Sequence, residues 1–338
     1  MSTQIKVEVV KPVLEKHPNA DSLSIAIIKG GWRCIVRTDD FSNGELGAYI
    51  PIDSIVPNTS DFKFIWDRNG GKHGRIKTMK LRGIVSQGLL IVAKPEWVEG
   101  QDVTELLGIT KYEPPENIAL GGEQAPNVAG FDKYTDIQNI KNFVGVMKTN
   151  DEVVCTEKVH GTNFRVGIIN GEFCVGSHNT VKIADGKNVY SAIAREYQLK
   201  EKLEKFIAEA PYDITSVILY GEIYGTGIQD LKYGEAKPRV RFFDIKVNGV
   251  YESYREFLYD CDIIGVESMP VLYRGKFDFD KIIELTEGDT VVSDTKQMRE
   301  GLVIRTVFEQ FSEELCDRKV LKSISEKYLL RKKGTEYH

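Results

Sequence analysis

The sequence predicts an α+β protein in two parts: a small β-barrel, then a larger domain that holds both strands and helices. Three observations lead there. Residues 5–110 carry short β signals and few helical ones. Residues 111–131 mix Pro, Gly and polar side chains, the composition of a linker. Beyond them, strand-like and helix-like stretches alternate. We therefore place a first domain at 1–112, a linker at 113–131 and a second domain at 132–338.

In the first domain Ile5–Val10 alternates apolar and polar residues, and Leu23–Ile28 and Trp32–Val36 are apolar runs. Gly30-Gly31 between the last two reads as a hairpin turn. Ala48–Ile52 and Gly88–Val92 add two more strands. Such a series of short strands suggests a barrel of the OB type. His17-Pro18-Asn19-Ala20-Asp21-Ser22-Leu23 resembles the opening of tRNA-binding OB modules. Trp32 and Trp66 read as core residues of that barrel rather than as platforms for bases.

In the second domain Asp132–Phe143 reads as a short helix with Ile137 and Ile140 on one face. Tyr190–Ala210 is the clearest helix: Ile193, Tyr197, Leu203 and Phe206 fall at helical spacing and Pro211 ends it. Ser253–Ile264 and Asp280–Glu287 also read as helices. Val217–Tyr220, Val240–Val247, Leu302–Thr306 and Lys319–Ile324 read as strands, and Asn248-Gly249 as a tight turn into Val250-Tyr251.

The composition bounds what such a chain does. With 338 residues, 41% hydrophobic and 28% charged, it has the make-up of a globular protein. A net charge of −5 argues against a histone-like wrapper but leaves room for a local basic groove. The five cysteines, Cys34, Cys155, Cys174, Cys261 and Cys316, lie far apart without a C-x-x-C pair. That pattern suggests reduced thiols and a cytoplasmic protein, not a disulfide framework or a zinc site. The first residues hold no apolar signal segment, and no stretch approaches the ~18 apolar residues of a membrane span.

One stretch of the barrel is rich in cations. Between Gly70 and Gly83 lie Lys72, Arg75, Lys77, Lys80 and Arg82, with no acid among them. It is either a loop that tracks a phosphate backbone or a solvated hairpin.

The second domain is organised around Lys158-Val159-His160-Gly161-Thr162-Asn163, a short connection between two β-branched runs. A lysine displayed at such a strand end, beside a nucleotide pocket, can act as a nucleophile toward phosphorus. That chemistry needs an unprotonated amine, which nearby cations favour. It also needs a second cation and a divalent metal to neutralise the α-phosphate. Four downstream stretches supply the groups: Tyr220–Gly225 around Glu222, Val240–Ile245 with Phe242 and Phe243, Glu300–Arg305, and Val320–Ser325 with Lys322. Glu300 is a carboxylate suited to a hard metal, Glu222 can accept from ribose hydroxyls, and an aromatic face can stack on a purine. His160 reads as a local hydrogen-bonding residue and Arg331-Lys332-Lys333 as a solvated tail.

In this order the pieces resemble the covalent nucleotidyltransferase superfamily of ATP-dependent ligases and capping enzymes. Lys158–Asn163 matches motif I, Glu222 motif III, Phe242 motif IIIa, Glu300–Ile304 motif IV and Lys322 motif V. Glu157-Lys158-Val159-His160-Gly161-Thr162-Asn163-Phe164 looks most like the RNA ligase 2 branch. An OB module ahead of the transferase domain is similar to nick-sealing RNA ligases of the Deinococcus and Naegleria type. The resemblance covers roughly residues 130–330. It implies an ATP-grasp-like adenylation domain of mixed, antiparallel sheet.

The resemblance implies roles as well. Lys158 would be the adenylated nucleophile and Lys322 would grip the α-phosphate. Glu157 would offer its backbone carbonyl to adenine. Asn163 and Glu222 would contact the ribose or metal-bound waters, Phe242 would stack on adenine, and Glu300 and Glu222 would serve the metal. Phe242 and Phe243 alternate faces, so one of them is core, and spacing selects Phe242 as the stacker. Two departures stand out. Motif Ia usually supplies an arginine, but Gly176-Ser177-His178-Asn179-Thr180 offers only His178 or Asn179. Motif V often reads Lys-x-Lys, whereas here Ile324 follows Lys322 and Lys319 should face the other way.

The implied function is an ATP-dependent RNA ligase joining 3′-hydroxyl and 5′-phosphate ends through lysyl-AMP. Its cofactors would be ATP with Mg2+ or Mn2+. Its partner would be an RNA or RNA/DNA duplex with a nick, bound by a monomer. The rivals are a DNA ligase, a GTP-using capping enzyme, and a non-catalytic RNA-binding protein.

Overall fold

Val7 and Val9 are fully buried while Lys6, Glu8 and Val10 are not, the alternation of a one-sided strand, whereas the partner strand with Ala48 and Ile50 is buried along its whole length. They belong to a computed structural model that describes residues 5–42, 44–115, 121–332 and 334. The chain divides into two compact units, one of residues up to Glu113 with Ile140–Val144, the other Pro114–Asn139 with residues from Gly145 onward.

The first unit is the expected OB-type barrel. Its elements are β1 (Glu8–Val10), β2 (Val13–Lys16), β3 (Leu23–Ile28), β4 (Trp32–Arg37), β5 (Gly47–Ile50), β6 (Ser54–Ile55), α1 (Lys63–Arg68), β7 (Met79–Leu81), β8 (Ile84–Ser86), β9 (Leu89–Val92) and β10 (Thr110–Lys111). Two three-stranded sheets run in the orders β1-β5-β9 and β2-β3-β4. Gly30 and Gly31 turn β3 into β4 at φ of 80° and 75°. Gly30 is irreplaceable for a second reason: a Cβ there would fall 1.9 Å from the carbonyl oxygen of Lys141. Both tryptophans are structural. Trp32 is 3% exposed and its Nε1 donates to Asn142 Oδ1 at 2.8 Å, while half-buried Trp66 donates to the carbonyl of Val56.

The second unit holds β11 (Gln138–Asn139), β12 (Glu152–Lys158), β13 (Thr162–Ile169), β14 (Glu172–Gly176), β15 (Val181–Lys182), α2 (Val189–Glu196), α3 (Leu199–Glu209), β16 (Ser216–Tyr224), β17 (Arg239–Val247), β18 (Val250–Tyr251), α4 (Tyr254–Ile264), β19 (Val271–Lys276), α5 (Phe279–Thr286), β20 (Gly301–Thr306), β21 (Phe311–Ser312), β22 (Asp317–Arg318), β23 (Val320–Ile324) and α6 (Glu326–Leu329). A five-stranded sheet runs β11-β23-β20-β12-β19, and a six-stranded antiparallel sheet runs β15-β14-β13-β16-β17-β18. Phe164, Val166, Leu219, Ile223 and Phe242 on one face of the larger sheet pack against Ile193, Leu203, Phe206 and Phe257 of α2, α3 and α4. Its other face carries Phe131, Tyr134, Ile218 and Tyr220.

Two helix expectations fail for visible reasons. Residues 132–143 form no helix. Phe131 and Tyr134 pack on the large sheet, Gln138 and Asn139 pair with β23, and Ile140 belongs to the other unit. Their apolar spacing serves three destinations rather than one helical face. The helix expected over 190–210 is broken at Gln198, which sits at φ 53° and separates α2 from α3. The other helices keep their signals. Ser253 and Glu256 make a capping box at the start of α4, and Gly265 ends it in the left-handed conformation.

Asp244 on β17 is fully buried and joins the two sheets. It pairs with Arg305 of β20 at 2.9 Å and Arg318 of β22 at 2.8 Å, and accepts from the Tyr134 hydroxyl at 2.8 Å. Burial disfavours its charge, but the two guanidinium groups outweigh this and hold the carboxyl below its usual range. None of the five cysteines is paired, and four are buried. Among the described residues no helix is long and apolar enough to cross a membrane.

Candidate active site

β12 and β13 are consecutive, yet β12 lies in the five-stranded sheet and β13 in the six-stranded one. The connection Lys158–Asn163 is therefore the crossing point between sheets. Gly161 is required there by a close approach: a Cβ would fall 2.2 Å from the carbonyl oxygen of Ile223. The loop between β16 and β17 holds this crossing. Gln229 Nε2 donates to the Gly161 carbonyl at 2.9 Å, and the His160 N–H donates to the Tyr233 hydroxyl at 2.6 Å.

Lys158 Nζ lies 2.8 Å from Glu300 Oε1, and Lys158 is paired in register with Gly301. Glu222 lies directly opposite Asn163 and accepts from the Gly161 N–H. Burial raises the Glu222 carboxyl to about 8, against the pull of Lys158. Burial works against the charge of Lys158 too, but Glu300 and Glu222 outweigh it and the ammonium is held above the ordinary lysine range. This corrects the expectation of an amine kept unprotonated by neighbouring cations. In the ligand-free site the groups acting on it are acids.

Lys322 stands two strands from Lys158. Thr156 pairs with Val303 and Val303 with Lys322, so Lys322 shares the face of Thr156 and Lys158. Lys319 is turned away, as expected, and pairs with Asp151 at 3.1 Å. Glu157 faces away from Lys158. Its carboxylate accepts from Thr290 Oγ1 and the Val291 N–H, each at 2.6 Å.

Phe242 is a correction. A bulge between Tyr220 and Gly221 leaves Gly221 opposite Phe242, and the Phe242 ring is fully buried beside Phe164. A ring enclosed in the core under the sheet offers no face to a base. Phe243, half-buried, packs against Tyr134 on the opposite face and lies near Val159 and Tyr233. In the stretch offered for motif Ia, His178 Nε2 meets Asp136 Oδ1 at 3.2 Å.

His160 is local, as expected: its Nε2 meets Asp230 Oδ1 at 2.9 Å and its Nδ1 the Tyr328 hydroxyl at 2.8 Å. Burial lowers its pKa. Arg331 is not part of a solvated tail; its Nε donates to Asp230 Oδ2 at 3.0 Å with the side chain only 9% exposed. Gln229, Asp230 and Tyr233 escape sequence reading because they belong to a loop without periodicity, and Tyr328 because it lies in a single helical turn. In the structure Tyr233 is a buried non-glycine at φ 54°, a conformation that the sequence does not signal.

In the first unit the cationic stretch divides. Lys72, Lys77, Lys80 and Arg82 are exposed, and the last two lie on the β7–β8 hairpin, whose turn is Arg82-Gly83 at φ 48° and 89°. Arg75 is not available to a phosphate backbone: it is 8% exposed, pairs with Asp53 at 2.6 Å and lies 3.6 Å over the Tyr112 ring. His17 and Asn19 reach the carbonyls of Leu81 and Arg82, so that stretch supports the hairpin.

The RNA ligase family profile matches residues 151–324, from the start of β12 to the end of β23. The chain belongs to the RNA ligase family. An OB-fold domain profile matches residues 1–93. Among solved structures the chain is similar to Naegleria gruberi RNA ligase over nearly its whole length. A substituted form with ATP and Mn gives a TM-score of 0.81 at 24% identity, covering 96% of this chain and 98% of that one. A second substituted form with AMP and Mn gives 0.81 at 23%, covering 96% and 97%. The ligase with PPi gives 0.79 at 24%, covering 97% and 98%. An RNA ligase built from an OB barrel and a sheet-rich transferase unit is thus the architecture that carries the site.

Proposed function

We propose that this family member is an ATP-dependent RNA ligase that seals nicks between a 3′-hydroxyl and a 5′-phosphate through a lysyl-AMP intermediate. The observation that supports this best is Lys158, set on the crossing between two sheets with Glu300 in contact and Glu222 acting on the same amine. A lysine paired with two acids and facing the same way as a second lysine is the donor set that adenylyl transfer needs.

The Lys158 amine, once deprotonated, attacks the α-phosphorus of ATP. A P–N bond forms, the bond to the β-phosphate oxygen breaks, and pyrophosphate leaves. Lys322 steadies the charge on the α-phosphate. A 5′-phosphate oxygen of the polynucleotide then attacks the lysyl-AMP phosphorus and breaks the P–N bond, restoring the amine. Finally the 3′-hydroxyl oxygen, losing its proton, attacks the 5′-phosphate phosphorus and AMP departs. Asn163 Oδ1 is buried with no hydrogen-bond partner, which suits a ribose hydroxyl. Phe243 takes the stacking role from Phe242, and the Glu157 carbonyl faces the base.

A divalent metal fits the acids. Glu300 Oε2 is buried with no hydrogen-bond partner, and Glu222 is a second oxygen donor acting on the same amine. Two carboxylates suit Mg2+ or Mn2+ held partly by substrate phosphates, where the ion would neutralise phosphate charge. The domain limits 1–112 and 132–338, a monomeric state and a cytoplasmic location belong to the same reading. In it the exposed Lys72, Lys77, Lys80 and Arg82 contact the duplex backbone.

The test is transfer of label from α-phosphate-labelled ATP to the full chain, then chase onto a nicked duplex. Label on wild type, none on Lys158→Ala, and sealing by wild type alone are expected. Labelling from GTP and not ATP, or equal sealing by Lys158→Ala, overturns the reading.

A further inference from the structure

The segment after β23 is bonded to both Glu300 and the turn after Lys158. Ser325 donates its N–H to the Glu300 carbonyl at 2.9 Å, and the Glu287 carboxylate accepts from Ser325 Oγ and the Glu326 N–H. The start of α6 is thereby fixed to the backbone of the residue that pairs with Lys158. Its far side reaches the Lys158 turn itself. Tyr328 is 5% exposed, its hydroxyl bonds His160 Nδ1 at 2.8 Å, and the two rings meet edge to face with centroids 5.2 Å apart. Arg331 lies 3.6 Å over the Tyr328 ring and binds Asp230, which holds His160 Nε2 at 2.9 Å.

The proton positions follow from these partners. A carboxylate only accepts, so His160 Nε2 carries the hydrogen toward Asp230 at 2.9 Å, and Arg331 Nη2, a donor only, packs 3.3 Å from the same nitrogen without a hydrogen bond to it. In the neutral imidazole Nδ1 then accepts from Tyr328. Both ring nitrogens are engaged, and the ring cannot rotate without breaking two bonds. His160 is two residues from Lys158, and its Nδ1 stands 3.9 Å from Glu300 Oε2. One short helix with its N-cap thus reaches Glu300 through its backbone carbonyl and the turn after Lys158 through the His160 imidazole.

We propose that Tyr328 and Arg331 are positioning residues for adenylyl transfer: through His160 and Asp230 they fix the turn that aims the Lys158 amine. This rests on the reading of Lys158 as the AMP acceptor. Neither residue touches the amine, so the effect is on aim and not on ATP affinity. Displacing a reacting atom by about 1 Å costs about a hundredfold in rate.

The test uses the full chain with Tyr328→Phe, Arg331→Ala and Arg331→Lys. Single-turnover formation of lysyl-AMP is followed against ATP concentration, beside hydrogen exchange of the 158–163 segment and the melting midpoint. Tyr328→Phe and Arg331→Ala should slow the maximal rate by about tenfold to a hundredfold with KM for ATP within about twofold. Arg331→Lys should recover part of the loss, and exchange at 158–163 should quicken in Arg331→Ala. Wild-type rates in both variants with unchanged exchange overturn the proposal. So does a rate loss that tracks a falling melting midpoint and vanishes on cooling. If wild type takes no label at all, the Lys158 reading fails, while unchanged or faster exchange at 158–163 in Arg331→Ala still decides the clamp.

Discussion

Lys158 ends β12 opposite Gly301, the first residue of β20, and Glu300, the residue just before that strand, meets the Lys158 amine at 2.8 Å. The pairing makes the contact a property of the sheet and not of a mobile loop. Glu300 also accepts from Ser325 through its backbone carbonyl, which any side chain preserves. Glu300→Ala should therefore leave the fold intact while lowering the rate of lysyl-AMP formation by about a hundredfold or more, the scale of one lost electrostatic contact. Single-turnover labelling together with a melting curve checks both halves. An unchanged rate would remove Glu300 from the site.

Phe242 and Phe243 should separate stability from nucleotide binding. Phe242 is fully buried beside Phe164, so Phe242→Ala should cost about 3–5 kcal/mol of stability. Its effect on KM for ATP, measured where the variant is folded, should be small. Phe243→Ala should raise KM for ATP by about tenfold, since stacking on a base is worth about 1–3 kcal/mol. Denaturant unfolding and ATP titration of both variants decide which ring meets the base.

The phenylalanine pair shows how far sequence reaches. Strand alternation correctly said that one ring is core, but the choice between them turned on a bulge at Tyr220/Gly221, which shifts the register and has no local sequence signature. The two-part architecture and the order Lys158, Glu222, Glu300, Lys322 were legible because each residue borders or interrupts an apolar run: Lys158 and Glu222 follow one, Glu300 precedes one and Lys322 lies inside one. Arg75 misled for a different reason. The other charged residues between Gly70 and Gly83 are all cations, while its partner Asp53 is 22 residues away. The Asp230–His160–Tyr328–Arg331 cluster was invisible, being assembled from a turn, a loop and a chain end that only the tertiary fold brings together.

Asp244 should dominate the acid limb of stability. Its carboxyl is fully buried between Arg305 and Arg318, which hold its pKa below the usual range. A lowered folded pKa stabilises at every pH above the unfolded carboxylate value of about 4, and the contribution is lost as pH falls through the folded value. Asp244→Asn leaves two buried guanidinium groups without that counter-charge and should cost about 3–5 kcal/mol near neutrality. Its deficit relative to wild type should shrink below pH of about 4. Urea unfolding of both proteins across that window is the measurement, and a pH-independent difference would assign the loss to packing instead.

The cations of the first unit should divide by burial when RNA binding is measured against salt. Lys80 and Arg82 project from the β7–β8 hairpin, whose tip is held by His17 and Asn19 through backbone carbonyls that substitution leaves in place. Each phosphate contact contributes about 0.9 to the slope of log affinity against log salt on a duplex. Lys80→Ala and Arg82→Ala should each flatten that slope by nearly one contact for a nicked RNA duplex, with no change in melting midpoint. Arg75 is buried between Asp53 and the Tyr112 ring, so Arg75→Ala should do the reverse, lowering the midpoint while the slope stays at its wild-type value. A slope that changes with Arg75 and not with Lys80 or Arg82 would move the nucleic-acid contact off this hairpin.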